Sequence, residues 1–479
     1  MLKSGSFLVA AVLLAGSYWA AGAFGADENK ADRTDIRGAQ KLMHSQIVAE
    51  RVEGIARLRD TSAQDAVKLI VPAGLTDPAE EVRRAAYETL LAWKNDRQID
   101  VFLLKALEKE TRTNKQGVML CAPLIAVLLA SESADTRQEI DKFLDAYTGS
   151  SGKGKAEGPV SPEHGGGTAA KAATPAESKI GAAALATMVT VADELGKLGD
   201  RQSLASLKRM TGLKCFSSTY AIRRAVVQAI IQVHLPEAVA EQISLLPDVD
   251  GEIRGDILRQ LSAVSGQTLG PDAKNWQAWW EKNKDDIRFP ANGASTSSLV
   301  AAAPGTPTYY GLAVQARRLV FVIDISGSME GPRLATAKRE LAQVIQALPE
   351  DAAFSIVVFS DHALVWQRSL KQATPAMKKA AIGFVSMLYA GGHTAAYDAL
   401  EAAFQFDAEA VYFLSDGAPN AGKIPAPGAI LAAVTQANRG RRISIYTIGI
   451  APGEAGGPLD NFMRALAEQN FGVYRRVDE

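Results

Sequence analysis

The stretch that decides the fold is Leu319-Val320-Phe321-Val322-Ile323-Asp324-Ile325-Ser326-Gly327-Ser328, which opens the last third of the chain. Its first five residues are apolar and rich in β-branched side chains, and the run is too short for a buried helix. It therefore predicts a buried strand that runs directly into Asp324. A carboxylate, two hydroxyls and a glycine follow within five residues, so polar groups gather where this strand ends.

The sequence after this strand alternates between short apolar runs and amphipathic segments. Helices are predicted over 334–348, 376–388, 395–406, 428–438 and 459–468. Strands are predicted over 354–359, 363–366, 410–414, 443–450 and 472–477. This alternation predicts an α/β domain over 316–479 with a doubly wound, mostly parallel sheet. Such sheets place ligands beyond the carboxyl ends of their strands.

Polar residues follow two further elements of this domain. Gly391-Gly392-His393-Thr394 leads into the third helix, and Ser415-Asp416-Gly417 follows the strand at 410–414. We expect these segments to meet the first strand end at one edge of the sheet. The predicted metal ligands are Asp324, Ser326, Ser328, Thr394 and Asp416.

An all-oxygen set of this kind suits a hard cation, Mg²⁺ first and Mn²⁺ second. The competing interpretation is that Asp324 and Asp416 only cap helices and turns. A cap needs one such residue, whereas here five oxygen-bearing residues fall on three neighbouring strand ends. The clustering therefore favours a metal site.

The order D-x-S-x-S, then Gly-Gly-x-Thr, then S-D-G resembles the von Willebrand factor A domain with an intact metal-ion-dependent adhesion site. The resemblance covers about residues 316–478. It implies that Ser326, Ser328 and Thr394 contact the metal directly or through water. It also implies that Asp324 and Asp416 hold the metal's waters or bond it directly.

The same resemblance implies that a Glu or Asp carboxylate of a partner protein fills the sixth position. In adhesion domains with a sliding last helix, a helix follows the final strand. Here the sequence stops at Val477-Asp478-Glu479, so we expect a static, open metal site.

The first half of the chain is predicted to be all-α. Apolar residues recur at spacings of three and four, and Val82-Arg83-Arg84-Ala85-Ala86 recurs as Ile222-Arg223-Arg224-Ala225-Val226 and loosely at 253–257. Such repeats must stack to bury their apolar faces, and they resemble HEAT repeats.

We therefore expect a HEAT-like repeat solenoid over 35–147 and 179–289, with a Trp-rich terminal helix. Residues 148–178, rich in Gly, Ser, Pro and Lys, are predicted to be a flexible insertion. Residues 290–315 are predicted to be a linker.

Composition excludes several classes of function. Lys and Arg number 52 against 53 Asp and Glu, a formal net charge of −1, so no global basic field attracts nucleic acid. Two cysteines cannot form a four-Cys zinc site. Cys121 and Cys215 have apolar neighbours, and two buried thiols are expected.

The N-terminus has the pattern of a signal peptide over residues 1–26. Lys3 precedes an apolar run from Phe7 to Leu14, and Ala21-Gly22-Ala23 has the form that signal peptidase cleaves. This predicts an exported protein, periplasmic or extracellular, with no stable membrane insertion after cleavage. The alternative is an uncleaved anchor through residues 7–24.

These features favour a binding module rather than an enzyme. The alternatives are a structural repeat scaffold whose binding needs no metal, and a metal-assisted hydrolase. Hydrolysis would need a general base, for which the candidates are His393, His362 and Asp361. We expect His393 to contact solvent or the partner rather than the metal.

Overall fold

The computed structural model describes residues 35–113, 118–131, 133–147, 182–289 and 305–478. The predicted signal peptide, the predicted insertion at 148–178 and the first part of the predicted linker lie outside these residues. The chain divides into two compact units, with the boundary between Leu103 and Leu104.

The first unit is helical, as the sequence predicts. Its elements are α1 (35–43), α2 (Val48–Leu58), α3 (Ala63–Leu69), a π-helical turn (Ile70–Gly74), α4 (Glu80–Ala92) and the start of α5 (Arg97–Thr113). The apolar stripe of α4 is buried at Val82, Ala86 and Leu90. Arg51 pairs with Asp77 through two hydrogen bonds of 2.8 and 3.0 Å.

The second unit begins within α5 and continues as helices up to residue 286. These are α6 (Val118–Leu129), α7 (Ala134–Tyr147), α8 (Ala182–Leu198), α9 (Arg201–Thr211), α10 (Lys214–Ser218), α11 (Tyr220–Gln232), α12 (Pro236–Leu245), α13 (Gly251–Ser265) and α14 (Ala273–Asn283). Helix α11 packs against α8 with Ile222, Val226 and Ile230 fully buried. Trp276 and Trp280 of α14 are buried.

The repeated arginines have the same role in both units. Arg83 donates to the carbonyls of Asp77 and Pro78, each at 2.8 Å. Arg223 donates to the carbonyls of Phe216 and Ser217 at 3.1 and 2.8 Å. Each arginine thus ties its helix to the segment that precedes it, which is a turn for Arg83 and helix α10 for Arg223. The assignment of these helices to HEAT repeats stays a prediction.

The α/β part of the second unit contains one large sheet. Its strands are β3 (Arg318–Asp324), β4 (Ala353–Phe359), β5 (Ala363–Val365), β6 (Lys371–Gln372), β7 (Ala410–Ser415), β8 (Ser444–Ile450) and β9 (Tyr474–Val477). The strand order is β5-β4-β3-β7-β8-β9, and β6 also pairs with β4. Pairs among β3, β4, β7, β8 and β9 are parallel, while β5 and β6 run antiparallel to β4. The predicted doubly wound, mostly parallel sheet is confirmed.

Helices cover both faces of this sheet. They are α15 (Pro332–Ala347), α16 (Pro375–Ser386), α17 (Ala396–Ala403), α18 (Pro427–Asn438) and α19 (Pro458–Glu468). Alternate residues of β3 enter two separate cores, Phe321 on the side of α15 and α16 and Val322 on the side of α17, α18 and α19. Both faces being buried explains the unbroken apolar run of the sequence.

The described part of the predicted linker, residues 305–315, is not a linker. It forms a hairpin of β1 (Thr308–Tyr309) and β2 (Leu312–Ala313) whose Tyr309 and Leu312 are buried against the sheet. The Tyr309 ring lies 5.3 Å from that of Phe321, edge to face. Tyr310 (φ 50°) and Gly311 (φ 79°) make the tight turn, the left-handed geometry that two-residue hairpins need. Burial of these side chains fixes a segment whose composition alone suggests flexibility.

Candidate metal centre

Two adjacent parallel strands bring the site together. β3 ends at Asp324 and β7 ends at Ser415, and the two strands pair in register from Leu319 opposite Ala410 to Ile323 opposite Leu414. Because parallel strands end at the same edge, the residues that follow them share that edge. Asp416 follows β7, and a short helical turn, Gly327–Met329, follows β3.

Backbone hydrogen bonds hold the glycine loop against the first strand end. Gly391 N–H donates to the Ile325 carbonyl at 2.9 Å, and Gly327 N–H donates to the Gly392 carbonyl at 3.0 Å. Thr394 lies two residues after Gly392, the last residue held by these hydrogen bonds, and just before α17. The three polar segments predicted from the sequence therefore do converge.

Asp324 is fully buried and bonded only to neutral groups. Its Oδ1 accepts from the Ser326 backbone N–H at 2.8 Å, and its Oδ2 accepts from the Ser415 hydroxyl at 2.5 Å. Burial raises the pKa of Asp324 to about 6, although these hydrogen bonds act to lower it. Within the described part of the chain, no Lys, Arg or His forms an ion pair with this carboxylate.

The hydroxyls form a chain that leads to the second carboxylate. The oxygens of Ser326 and Ser328 are 3.1 Å apart, and Ser328 Oγ donates to Asp416 Oδ1 at 2.7 Å. A Cβ built on Gly417 would lie 3.4 Å from Ser328 Oγ and 3.5 Å from Thr394 Oγ1. Both hydroxyls thus border one small space, which Gly417 leaves open because it has no side chain.

All five predicted ligands are therefore neighbours, while their ligation of an ion stays a prediction. Among the described residues, no three His, Cys, Asp or Glu side chains are grouped as a metal site. The cluster instead relies on hydroxyls, with two carboxylates.

Sequence reasoning gave no role to three residues that shape this cluster. Ser415, quoted only as part of the S-D-G motif, donates to the buried Asp324. Asn420 Oδ1 accepts from the Thr394 backbone N–H at 2.8 Å and fixes that loop. Arg333 Nη1 lies 2.9 Å from Asp416 Oδ2. The only signal for Arg333 is its position in the first turn of α15, close to the D-x-S-x-S segment.

The loop histidine stands beside the cluster as part of an exposed pair. The Nδ1 of His393 lies 2.6 Å from Oδ1 of Asp361, and the His393 backbone N–H donates to the same oxygen at 3.0 Å. These bonds hold the pKa of Asp361 below its usual range. The two side chains are 71% and 56% exposed, as expected for a histidine that faces solvent.

Comparison with known proteins agrees with this geometry. The von Willebrand factor type A domain family matches residues 319–478.

Residues 319–478 form a von Willebrand factor type A domain.

The relatives of this A domain are much longer proteins. The chain is 32% identical over 183 residues to inter-alpha-trypsin inhibitor heavy chain H3 of Mesocricetus auratus, a match covering 35% of this chain and 20% of that protein. It is 28% identical over 210 residues to human inter-alpha-trypsin inhibitor heavy chain H4, covering 40% and 22%. The chain thus matches about a fifth of the length of these relatives.

Among solved structures, the von Willebrand factor type A protein from Catenulispora acidiphila is 25% identical. That match has a TM-score of 0.30 and covers 35% of this chain and 40% of the other.

One prediction made outside the A domain also meets the structure. Cys121 and Cys215 are both buried and unbridged. Within the described ranges, no helix has the length and apolar character needed to cross a bilayer.

Proposed function

We propose that this chain is an exported protein-interaction scaffold whose A domain binds a divalent cation and, through it, an acidic residue of a partner protein. The proposed cation is Mg²⁺, with Mn²⁺ as the second choice. The proposed ligands are Ser326, Ser328 and Thr394, directly or through water. Asp324 and Asp416 hold the cation's waters or bond it directly.

The observation that carries this proposal is the carboxylate of Asp324, which is fully buried and forms no ion pair with any residue that the structure describes. A buried charge is unfavourable unless an opposite charge or several hydrogen bonds compensate it. Asp324 has two hydrogen bonds from neutral donors and no ion pair among the described residues. A cation beside the hydroxyl chain supplies the missing compensation, so the residues present fit the group.

The remaining side chains are arranged to hold such a cation without neutralising it. Two carboxylates give the cluster two formal negative charges, and the other donors are neutral hydroxyls. A bound Mg²⁺ supplies an electron-poor centre with exchangeable water, which an incoming carboxylate can replace. Ser415 orients Asp324, and Asn420 fixes the backbone of Thr394. The chain's own groups therefore position the donors before any partner arrives.

The test measures cation binding and partner binding in the same proteins. Titration calorimetry with MgCl₂ and with MnCl₂ should give binding to the wild type and clear loss in Thr394→Ala and Asp416→Ala. Circular dichroism of Thr394→Ala should be unchanged, because a loop hydroxyl contributes little to the core, and the spectrum of Asp416→Ala checks that its loss of binding is not caused by unfolding. Thr435→Ala, a threonine of α18 that is remote from the site in sequence, is the matched control.

Partner capture from an envelope extract should depend on Mg²⁺ and fail in EDTA, with the captured proteins read by mass spectrometry. Each site variant should weaken capture by on the order of tenfold, about 1.4 kcal/mol. Equal capture by all variants with and without Mg²⁺ would favour the metal-independent scaffold. Hydrolysis of ester or peptide substrates would favour the hydrolase.

Export is proposed on the N-terminal pattern of Lys3, the apolar run and Ala21-Gly22-Ala23. N-terminal sequencing of the mature protein should begin near Phe24 or Asp27. An intact Met1 in a membrane fraction would show an uncleaved anchor.

A further inference from the structure

Arg333 is a built-in cation beside the proposed metal centre. Its Nη1 lies 2.9 Å from Asp416 Oδ2 and 3.4 Å from the Ser328 carbonyl. The Asp416 side chain is fully buried, whereas that of Arg333 is 30% exposed. Each oxygen of the Asp416 carboxylate thus has its own partner, since Oδ1 accepts from Ser328 and Oδ2 faces the Arg333 guanidinium.

The position of Arg333 is unfavourable for the helix that carries it. It is the second residue of α15, whose first turn contains no acidic side chain. A helix N-terminus carries partial positive charge, so an arginine there is destabilising by its own position. The carboxylate of Asp416 offsets this, which ties the arginine to the site rather than to the helix.

The charges of the site give Arg333 a clear electrostatic effect. Asp324 and Asp416 contribute −2 and Arg333 contributes +1, so the set that faces an incoming cation sums to −1. A positive charge this near repels a divalent cation and attracts a carboxylate. Removing it should therefore change the two affinities in opposite directions.

We propose that Arg333 tunes the A domain for acidic partners: it lowers the affinity of the site for divalent cations and raises its affinity for a carboxylate. This inference rests on the proposed function. Arg333 is a positioning residue here, because it acts through Asp416 and its own charge. A purely structural role predicts something different, namely that losing Arg333 disorders Asp416 and weakens cation binding.

The experiment uses the full chain and Mn²⁺ alone as the probe, with binding followed by electron paramagnetic resonance of the unbound ion. Arg333→Gln should bind Mn²⁺ roughly tenfold more tightly than the wild type at low ionic strength. Arg333→Lys keeps the charge and should stay close to the wild type. Arg339→Gln is the matched control, since Arg339 lies further along α15 and pairs with Glu340 at 3.8 Å.

Salt provides a readout that a structural role would not change. Because the effect is electrostatic and Arg333 is partly exposed, the ratio of affinities between Arg333→Gln and wild type should shrink as KCl is raised. Arg333→Met, which keeps the aliphatic stem, repeats the measurement should the Gln variant lose helicity by circular dichroism.

The outcomes separate the two proposals. Tighter Mn²⁺ binding in Arg333→Gln, with Arg333→Lys and Arg339→Gln like wild type, supports the tuning role. Equal or weaker binding by a folded Arg333→Gln overturns it and leaves the metal site standing. A wild type that binds no Mn²⁺ overturns the proposed function and this inference together.

Discussion

The two ends of the parallel sheet differ in the groups that surround their buried carboxylates. At the carboxyl ends, Asp324 is buried without an ion pair among the described residues, next to a chain of hydroxyls. At the amino ends, helices α11 and α13 lie against the strands, and Arg224 of α11 forms an ion pair with Asp256 of α13 at 2.8 Å. Glu252 of α13 is also buried there, and it accepts from the hydroxyls of Ser444 and Tyr446 of β8, at 3.0 and 2.7 Å. The carboxyl end is the one at which we propose that an outside partner binds.

At the amino ends of the strands, two arginine side chains pack against one phenylalanine ring. The guanidinium carbons of Arg224 and Arg442 lie 5.3 and 5.2 Å from the centroid of the Phe471 ring. Arg224 Nη1 donates to the Arg442 carbonyl at 2.6 Å, and Arg442 pairs with Asp193 of α8. Cation–π contacts of desolvated arginines are among the stronger ones.

The backbone at this stack is strained. Arg442 (φ 61°) and Phe471 (φ 59°) both adopt left-handed conformations that non-glycine residues seldom adopt. Such strain persists only where surrounding contacts impose it. An ion pair with Arg224 compensates the buried charge of Asp256, whereas Asp324 has no ion pair among the described residues. The hydroxyls of Ser326 and Ser328 beside Asp324 are what support the proposed metal site.

The largest expected effect on stability comes from removing the buried ion pair at the amino end of the sheet. Arg224→Ala should lower the free energy of unfolding by about 3–5 kcal/mol, because the fully buried guanidinium is paired with Asp256 at 2.8 Å and its loss leaves that carboxylate undercompensated. Urea unfolding of the full chain, followed by tryptophan fluorescence, measures the change.

The neighbouring Arg223 provides the control for this prediction. Among the described residues, its guanidinium donates only to the carbonyls of Phe216 and Ser217, so Arg223→Ala should lower stability by about 1 kcal/mol. If the two variants lose the same free energy of unfolding, the buried ion pair of Arg224 contributes no more to stability than the hydrogen bonds of Arg223.

Removing a buried charge at the carboxyl end of the sheet should keep or raise the free energy of unfolding, unlike the loss of Arg224. Asp324→Asn keeps the shape of the side chain and removes a charge that burial disfavours, since the folded pKa of about 6 lies above the ordinary value of 3.8. At pH 7.5 in EDTA the variant should be as stable as the wild type or more stable by about 1–3 kcal/mol, and it should bind no cation.

Asp256→Asn is the matched substitution at the other end of the sheet. Asp256 accepts from Arg224 and Arg259, so the same chemical change should destabilise the chain strongly. If both asparagine variants lose similar stability in urea, the contrast between the two ends is wrong.

The sequence predicted the carboxyl end well and the amino end not at all. Asp324 and Asp416 follow strands whose apolar runs are unmistakable, and parallel pairing then forces their convergence. The glycine loop could be predicted to lie at the same edge because Gly391-Gly392-His393-Thr394 directly precedes a helix. Local pattern and one topological rule were sufficient for these five residues.

The amino end depends on partners that are distant in sequence. Arg224 and Arg442 are 218 positions apart, and their helical and loop contexts contain no pattern that links them. The roles of Arg333 and Ser415 were not predicted for a related reason, because each acts through a hydrogen bond to a residue about 80 or 90 positions away.

The hairpin at 308–313 was missed because its strands have two residues each, too short for any periodicity. The Tyr309-Tyr310-Gly311 sequence is the signal that would have found it, since aromatic residues favour strands and glycine suits the left-handed backbone of a two-residue turn.

The smallest expected effect is a pH dependence at the amino end. Glu409 precedes β7 and is nearly buried beneath Gly251, where a Cβ would overlap its carboxylate. Its Oε2 accepts from the Arg317 backbone N–H at 3.1 Å, and Arg318 lies 3.6 Å from Oε1. Burial raises the pKa of Glu409 to about 7, with Asp250 and Glu252 adding to the rise.

A folded pKa above the ordinary value of 4.5 means that Glu409 binds its proton more tightly in the folded chain. Its contribution to stability is therefore fully present below about pH 4.5 and is lost as the pH rises towards 7.

Glu409→Gln cannot lose a proton, so its stability relative to wild type should rise between pH 5 and pH 8. We expect about 1 kcal/mol or more, which is about 2–4 °C in melting temperature for a domain of this size. Calorimetric melting of both proteins at the two pH values measures the difference, with Glu350→Gln at an exposed site as the control. A difference that stays constant or falls with pH would mean that Glu409 is charged in the folded protein throughout this range, and that Arg318 compensates it as fully as Arg224 compensates Asp256.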